Sequence, residues 1–179
     1  MLLKKDDSCL LLIDVQEKLA PFVLESEKTI ARCQWLMRLA KELDVPVLIS
    51  EQYPSGLGST VKPLQSGDKT LSKVHFSSWR EPLFKDSLTT LARNQVVLIG
   101  IEAHVCVLQS AVDLLEAGFQ VYVAVDAVSS RHDQDLKYGL KRMKQAGIEL
   151  VTSEMIFFEW VGQAGTPEFK ALSNAYLKQ

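Results

Sequence analysis

The stretch "VVLIGIEAHVCVLQSAVDLLEAGFQVYVAV", residues 96–125, passes from one apolar run through an amphipathic segment into a second apolar run. Its first run, Val96–Gly100, lacks the in/out alternation of a strand with one wet face. It therefore predicts a parallel strand covered by helices on both sides. Val107–Ala117 is apolar over much of its circumference, the pattern of a helix packed on a sheet and on a neighbour. Gly118 supplies a helix stop, and "VYVAV" (121–125) reads as the next strand. Strand, helix and strand in this order make a βαβ unit.

Working outward, "CLLLI" (9–13) and "VPVLIS" (45–50) repeat the solidly apolar pattern, and "TLSKVHF" (70–76) and "IELVTS" (148–153) repeat it more weakly. Between Glu25 and Asp44, Cys33, Leu36, Met37, Ala40 and Leu43 recur at three- and four-residue spacing and predict a helix with one apolar stripe. Residues 133–146 predict a more polar helix ending at Gly147. This β-α alternation predicts a three-layer α/β/α fold with right-handed crossovers. Its doubly wound, mostly parallel six-stranded sheet would be Rossmann-like, in one domain over residues 1–179. "EQYPSGLGSTVKPLQSGDK" (51–69) reads as one long loop, and loops of that length inside compact domains are commonly functional. The last thirty residues look helical after Thr166–Pro167. Phe157, Phe158 and Trp160 leave two readings open, core or subunit interface.

The chain has 179 residues, 47% of them hydrophobic, enough for one sizeable core. Its net charge of −2 and scattered Lys and Arg offer no stripe for a phosphate backbone, so no nucleic-acid partner is expected. The opening "MLLKKDDSCLLLID" has too short an apolar run for a signal or a membrane span, so a soluble, unexported chain is expected. Three widely spaced cysteines, Cys9, Cys33 and Cys106, make neither a disulfide framework nor a zinc motif, and they fit a reducing, cytoplasmic setting. His75, His104 and His132 show no metal-ligand spacing, and "GLGST" (56–60) lacks the lysine of a phosphate loop. Neither a metal nor another cofactor is expected.

Ligands of parallel α/β sheets bind beyond the carboxyl ends of the strands. Asp14, Lys73, Cys106 and Asp126 all fall at or near such ends. Cys106 would lie in the first turn of a helix starting near Ala103 or His104. There the helix field and free N–H groups favour thiolate and can receive an oxyanion. A lysine would favour the thiolate further, and a carboxylate can take the thiol proton. A plainer reading stands beside each. Cys9 and Cys33 sit on apolar faces as core residues, and Cys106 is equally a small packing residue. Asp14 and Asp126 suit turn or helix caps, and Lys73 suits a solvated strand end.

"LLLIDVQEKL", "KVHFSSW" and "LIGIEAHVCVLQSAVDLLEAGFQVYVAVDAVSSR" resemble, in order and spacing, the three signature blocks of the isochorismatase-like cysteine hydrolase superfamily. "EQYPSGLG", "GIEAHVC", "DAVSSR" and "TSE" are most like the isochorismatase-domain-containing and YcaC-type proteins. The resemblance covers essentially the whole chain. It implies a catalytic aspartate at Asp14, a lysine at Lys73 and a nucleophilic cysteine at Cys106. It also implies a non-proline cis peptide at Ile101–Glu102, which would present the Glu102 and Cys106 N–H groups to an oxyanion. Gln16, Trp79, Ala103 and Val105 would line the substrate pocket. Metal-dependent nicotinamidases of the superfamily carry an Asp and His pair after the second strand. This chain has no histidine between Val47 and Val74, so that branch is disfavoured. True isochorismatases do not need the cysteine, so Cys106 favours the covalent route. The expected activity is hydrolysis of a small amide or related C–N bond through an acyl-enzyme. The alternatives are an isochorismate-type vinyl-ether hydrolase and a non-catalytic oligomeric scaffold. The expected partners are a small-molecule substrate and further copies of the chain in a homo-oligomer.

Overall fold

A computed structural model describes residues 1–178. Six strands, β1 (Ser8–Ile13), β2 (Val47–Gln52), β3 (Lys69–Lys73), β4 (Gln95–Ile101), β5 (Gln120–Ser129) and β6 (Glu149–Val151), form one sheet. Their order is β3-β2-β1-β4-β5-β6, and every pairing is parallel. The order reverses direction between β1 and β4, which makes their carboxyl ends the topological switch point.

Seven helices cover the sheet: α1 (Ser26–Glu42), α2 (Pro54–Leu57), α3 (Pro82–Leu91), α4 (Leu108–Glu116), α5 (Asp133–Gln145), α6 (Ser153–Val161) and α7 (Pro167–Tyr176). Leu10, Leu12, Val97 and Ile99 face α1, α6 and α7. Cys9, Leu11, Ile13, Val96 and Leu98 face α3, α4 and α5. The period-two alternation of a strand is present, but both faces demand apolar residues, so the sequence shows only a run. None of the described helices is long and apolar enough to cross a membrane.

Several local details differ from the sequence reading. The 51–69 loop contains the short helix α2 and a 3₁₀ turn at Lys62–Leu64. Helix α3, which begins on Pro82, did not stand out because its buried face rests on only Phe84, Ser87 and Leu88. Strand β5 runs past Val125 to Ser129 through a bulge, where its register against β4 jumps from Leu98↔Val123 to Gly100↔Val128. Phe157 and Trp160 are core residues, whereas Phe158 is exposed.

Glycine decides one close approach. At Gly100 a Cβ would meet the Ile13 carbonyl oxygen at 2.2 Å, and φ is +111°. Only glycine lets β4 lie so close to β1 at the edge where the loops carry their polar residues.

Candidate functional site

The carboxyl ends of β1, β2, β3 and β4 contribute to a buried polar cluster above the switch point. Asp14 follows β1 in the left-handed region, with φ of 50°. This turn directs the carboxylate back over the sheet edge. Its backbone N–H donates to Ser50 O at 3.2 Å, and Oδ1 accepts from the Ser50 hydroxyl at 2.6 Å. Lys73 ends β3, two strands away, and its Nζ reaches to 2.8 Å from Asp14 Oδ2. Both side chains are wholly buried, so each charge depends on the other and on nearby dipoles.

Lys73 has further partners. Its Nζ donates to Gln52 Oε1 at 2.5 Å, His75 O at 3.1 Å and Phe76 O at 2.9 Å. Asp14 Oδ2 has no aligned hydrogen-bond donor despite its closeness to the ammonium.

Cys106 arrives from β4. The Ile101–Glu102 peptide bond is cis. The chain then makes a π-helical turn over Ala103–Val107, in which Val107 N–H donates to Glu102 O at 3.2 Å, before α4 begins. Such wide turns recur at functional sites. The thiol lies where it is influenced by both Asp14 and Lys73. Burial and the neighbouring Asp14 carboxylate push it up to about 12, against a lowering pull from Lys73. Against the expected helix-start thiolate, desolvation and the Asp14 charge both favour the protonated thiol. Helix α5 backs the turn through Gly139, where a Cβ would meet His104 Cα at 3.0 Å.

The other marked residues take different places. Asp126 lies within the β5 bulge, where its Oδ1 accepts from Ser153 N and Oγ, both at 2.9 Å, at the start of α6. Its Oδ2 lies 3.5 Å from Arg32 Nε. It is a helix cap, not a neighbour of Cys106. Gln16 is buried with its amide fully engaged: Nε2 donates to Gln52 O at 3.0 Å and Gly58 O at 2.7 Å, and Oε1 accepts from Gln52 N at 2.7 Å. It ties down the loop after β2, and both hydrogens of its amide are already used there. Trp79 stacks edge-on against Phe119 at 5.3 Å, beyond the far end of α4 from Cys106. Its half-buried ring also packs on the core cluster that contains Cys106. Ala103 is buried in the core under α4, and half-buried Val105 packs on the same cluster. Glu102 accepts from Arg131 Nε at 2.7 Å.

Gln52 escaped the sequence reading. A glutamine at a strand end carries no motif by itself, and only its pairing with Lys73 in the β2/β3 register reveals it. A cleft of about 790 Å³ between α1, β5 and α5 contains none of Asp14, Lys73 or Cys106. Volume therefore does not mark the chemistry here.

The isochorismatase domain matches residues 8–155. The chain belongs to the isochorismatase family. It is 41% identical over 171 residues to isochorismatase domain-containing protein 2 of Rattus norvegicus, covering 94% of this chain and 80% of that protein. A solved structure described as MAR1 ribonuclease from Caenorhabditis elegans is similar with 39% identity and a TM-score of 0.92, covering 100% of this chain and 94% of that one. The YcaC gene product of Escherichia coli, described as an octameric hydrolase of unknown specificity, shares the fold. Its TM-score is 0.88 at 23% identity, over 98% of this chain and 96% of that one. Family membership makes this chain an isochorismatase-like hydrolase.

Proposed function

We propose that this one-domain protein hydrolyses a small, uncharged amide or related C–N bond through an acyl-enzyme on Cys106. One observation carries the reading: a buried thiol, carboxylate and ammonium converge at the switch point, with the Oδ2 face of Asp14 free of aligned donors.

Cys106 gives its proton to Asp14 Oδ2 as the sulfur attacks the carbonyl carbon. The oxyanion forms against the N–H groups of Glu102 and Cys106. Collapse breaks the C–N bond, and the proton held by Asp14 leaves on the amine. Water then attacks the thioester, Asp14 takes a proton from it, and the departing sulfur recovers one. The product is the free acid. Lys73 holds the Asp14 carboxylate in place and offsets the negative charge that moves between oxygen and sulfur. No cofactor enters these steps. Lys73, the cation inside the buried cluster, is already taken up by Gln52, His75, Phe76 and Asp14 and has no free face for a substrate carboxylate. That favours an uncharged amide over an isochorismate-type acid, for which Asp14 would act as the proton donor.

The chain also offers a surface for self-association. Phe22, Tyr53, Val74 and Phe76 are exposed on the loops after β1, β2 and β3, around the mouth of the site. Apolar patches of this kind mark contact surfaces, so a homo-oligomer is part of the proposal. Sedimentation showing only a 20.0 kDa species would overturn it.

A screen of small amides, ureides and carbamoyl compounds, with mass-spectrometric trapping of the acyl adduct, tests the central claim. The adduct is expected on Cys106, and Cys106→Ala is expected to lower turnover about a thousandfold or more. Turnover unchanged in Cys106→Ala would refute the covalent route. Isochorismate turnover that survives that substitution would favour the vinyl-ether reading, and RNA cleavage that survives it would favour a ribonuclease. A chain that forms no adduct and turns over nothing would favour the scaffold.

A further inference from the structure

We propose that Gln52 is a positioning residue: it holds Lys73 so that the ammonium hydrogens point away from Asp14 Oδ2, leaving that oxygen to take the Cys106 proton. The inference rests on the acyl-transfer reading above and adds a residue to it.

Gln52 ends β2, the strand between Asp14 on β1 and Lys73 on β3, and it stands opposite Lys73 in the register. Its amide is anchored at both ends. Oε1 accepts from Lys73 Nζ at 2.5 Å, and Nε2 donates to Val74 O at 2.8 Å. Its backbone is held as well, by the Gln16 amide, which bonds both its N–H and its carbonyl.

An ammonium has three hydrogens to give. Those of Lys73 go to Gln52 Oε1, His75 O and Phe76 O. Asp14 Oδ2, only 2.8 Å from the same nitrogen, forms the ion pair without an aligned hydrogen bond. The other carboxylate oxygen is held by the Ser50 hydroxyl. Asp14 thus has one oxygen anchored by Ser50 and one without a hydrogen bond, in a carboxylate whose charge acts on the Cys106 thiol. Other charged groups on the adjoining loops are engaged elsewhere: Glu81 with His75, Glu102 with Arg131, and Glu51 with Thr60. Removing the Gln52 oxygen frees one Lys73 hydrogen, and Asp14 Oδ2 is the acceptor it can reach. The lone pair that the thiol proton needs would then be occupied.

The test is alkylation of Cys106 by chloroacetamide, followed by intact-mass and peptide mass spectrometry between roughly pH 6 and 10. In this step sulfur bonds to the methylene carbon, chloride leaves and the thiol proton passes to Asp14. Wild type, Asp14→Asn, Gln52→Met and Gln52→Glu are compared, each with its thermal midpoint. Wild type is expected to show a rate component at neutral pH that does not follow hydroxide, and Asp14→Asn is expected to lack it. Gln52→Met, close in size but without the oxygen, should reduce that component about tenfold, the scale of one charge-assisted hydrogen bond. Gln52→Glu, which keeps an oxygen for Lys73 but cannot donate to Val74, should retain it.

A neutral component lost in Asp14→Asn but intact in Gln52→Met would overturn the inference and leave the acyl-transfer reading standing. Equal loss in Gln52→Met and Gln52→Glu would also overturn it, because the oxygen would then not be the feature that matters. If Gln52→Met does not fold, loss of the neutral component in a folded Gln52→Glu overturns the inference, because that variant keeps an oxygen for Lys73. A wild-type enzyme without any neutral component would remove the acyl-transfer reading and this inference with it.

Discussion

Cys33 and Cys106 are buried thiols on opposite faces of one sheet, and their surroundings differ in the groups that could take a proton. Cys33 sits on α1 in the core with Leu36 and Ala40, and its Sγ donates to Ala127 O at 3.3 Å. Burial pushes it far above the usual thiol range, and the charge of Asp126 adds to the effect. Cys106 is also pushed up by burial, but its neighbours are a carboxylate able to accept a proton and an ammonium able to balance the charge. Removal from water suppresses the thiolate in both. Only Cys106 has somewhere to send its proton.

Asp14→Asn should break the contrast most severely. Without the acceptor, Cys106 becomes another buried thiol, and kcat/KM on an identified substrate should fall by about 10²–10⁴. Cys33→Ala should leave kcat/KM at the wild-type value. A parallel loss in Cys33→Ala would mean that the two faces are coupled in a way the geometry does not support.

Gly100→Ala attacks the frame that brings the two chemistries together. Its Cβ would meet Ile13 O at 2.2 Å with φ at +111°, so β1 and β4 must separate. A loss of about 2–4 kcal/mol in urea unfolding is expected, with reduced Cys106 labelling in the protein that remains folded. Unchanged stability would show that the β1/β4 spacing is softer than this contact requires.

The smallest effect concerns the inert thiol. Cys33→Ala should cost about 1–2 kcal/mol through lost packing at neutral pH. It should also flatten the alkaline limb of the stability curve. The unfolded chain gives up the Cys33 proton near 9.0, while the folded chain keeps it to a higher pH. The contribution is therefore complete below the unfolded value and is lost as pH rises toward the folded one. Its slope is at most about 1.4 kcal/mol per pH unit. Urea unfolding of both proteins at neutral and alkaline pH measures the difference, and parallel curves would contradict the burial of Cys33.

Much of the fold is legible in the chain. Runs such as "CLLLI" and "VVLIG" are apolar because helices cover both faces of the strands, and the α1 stripe reports a helix with one buried side. Strand order is not legible, because β1, β2 and β4 have interchangeable patterns and only packing assigns neighbours. The strand-end positions of Asp14, Lys73 and Cys106 could be read from spacing, and the family blocks sharpened them. The directions of Trp79 and Gln16 could not. Trp79 is turned toward Phe119 by the path of α4, and the Gln16 amide is consumed by the loop after β2. Asp126 looked like a strand-end residue until the bulge in β5 carried it to the start of α6.

By itself, the sequence determined the alternation of strands and helices, the residue types available for chemistry and the strand ends that carry them. Those properties are local, set by periodicity, turns and composition within short windows. Tertiary structure alone decided that β2 lies between the aspartate and the lysine, so that Gln52 reaches Lys73. It also decided that the Cys106 thiol is desolvated near Asp14, which favours its protonated form. Desolvation and hydrogen-bond direction depend on atoms brought together from positions 14, 52, 73 and 106, and no window along the chain contains them all.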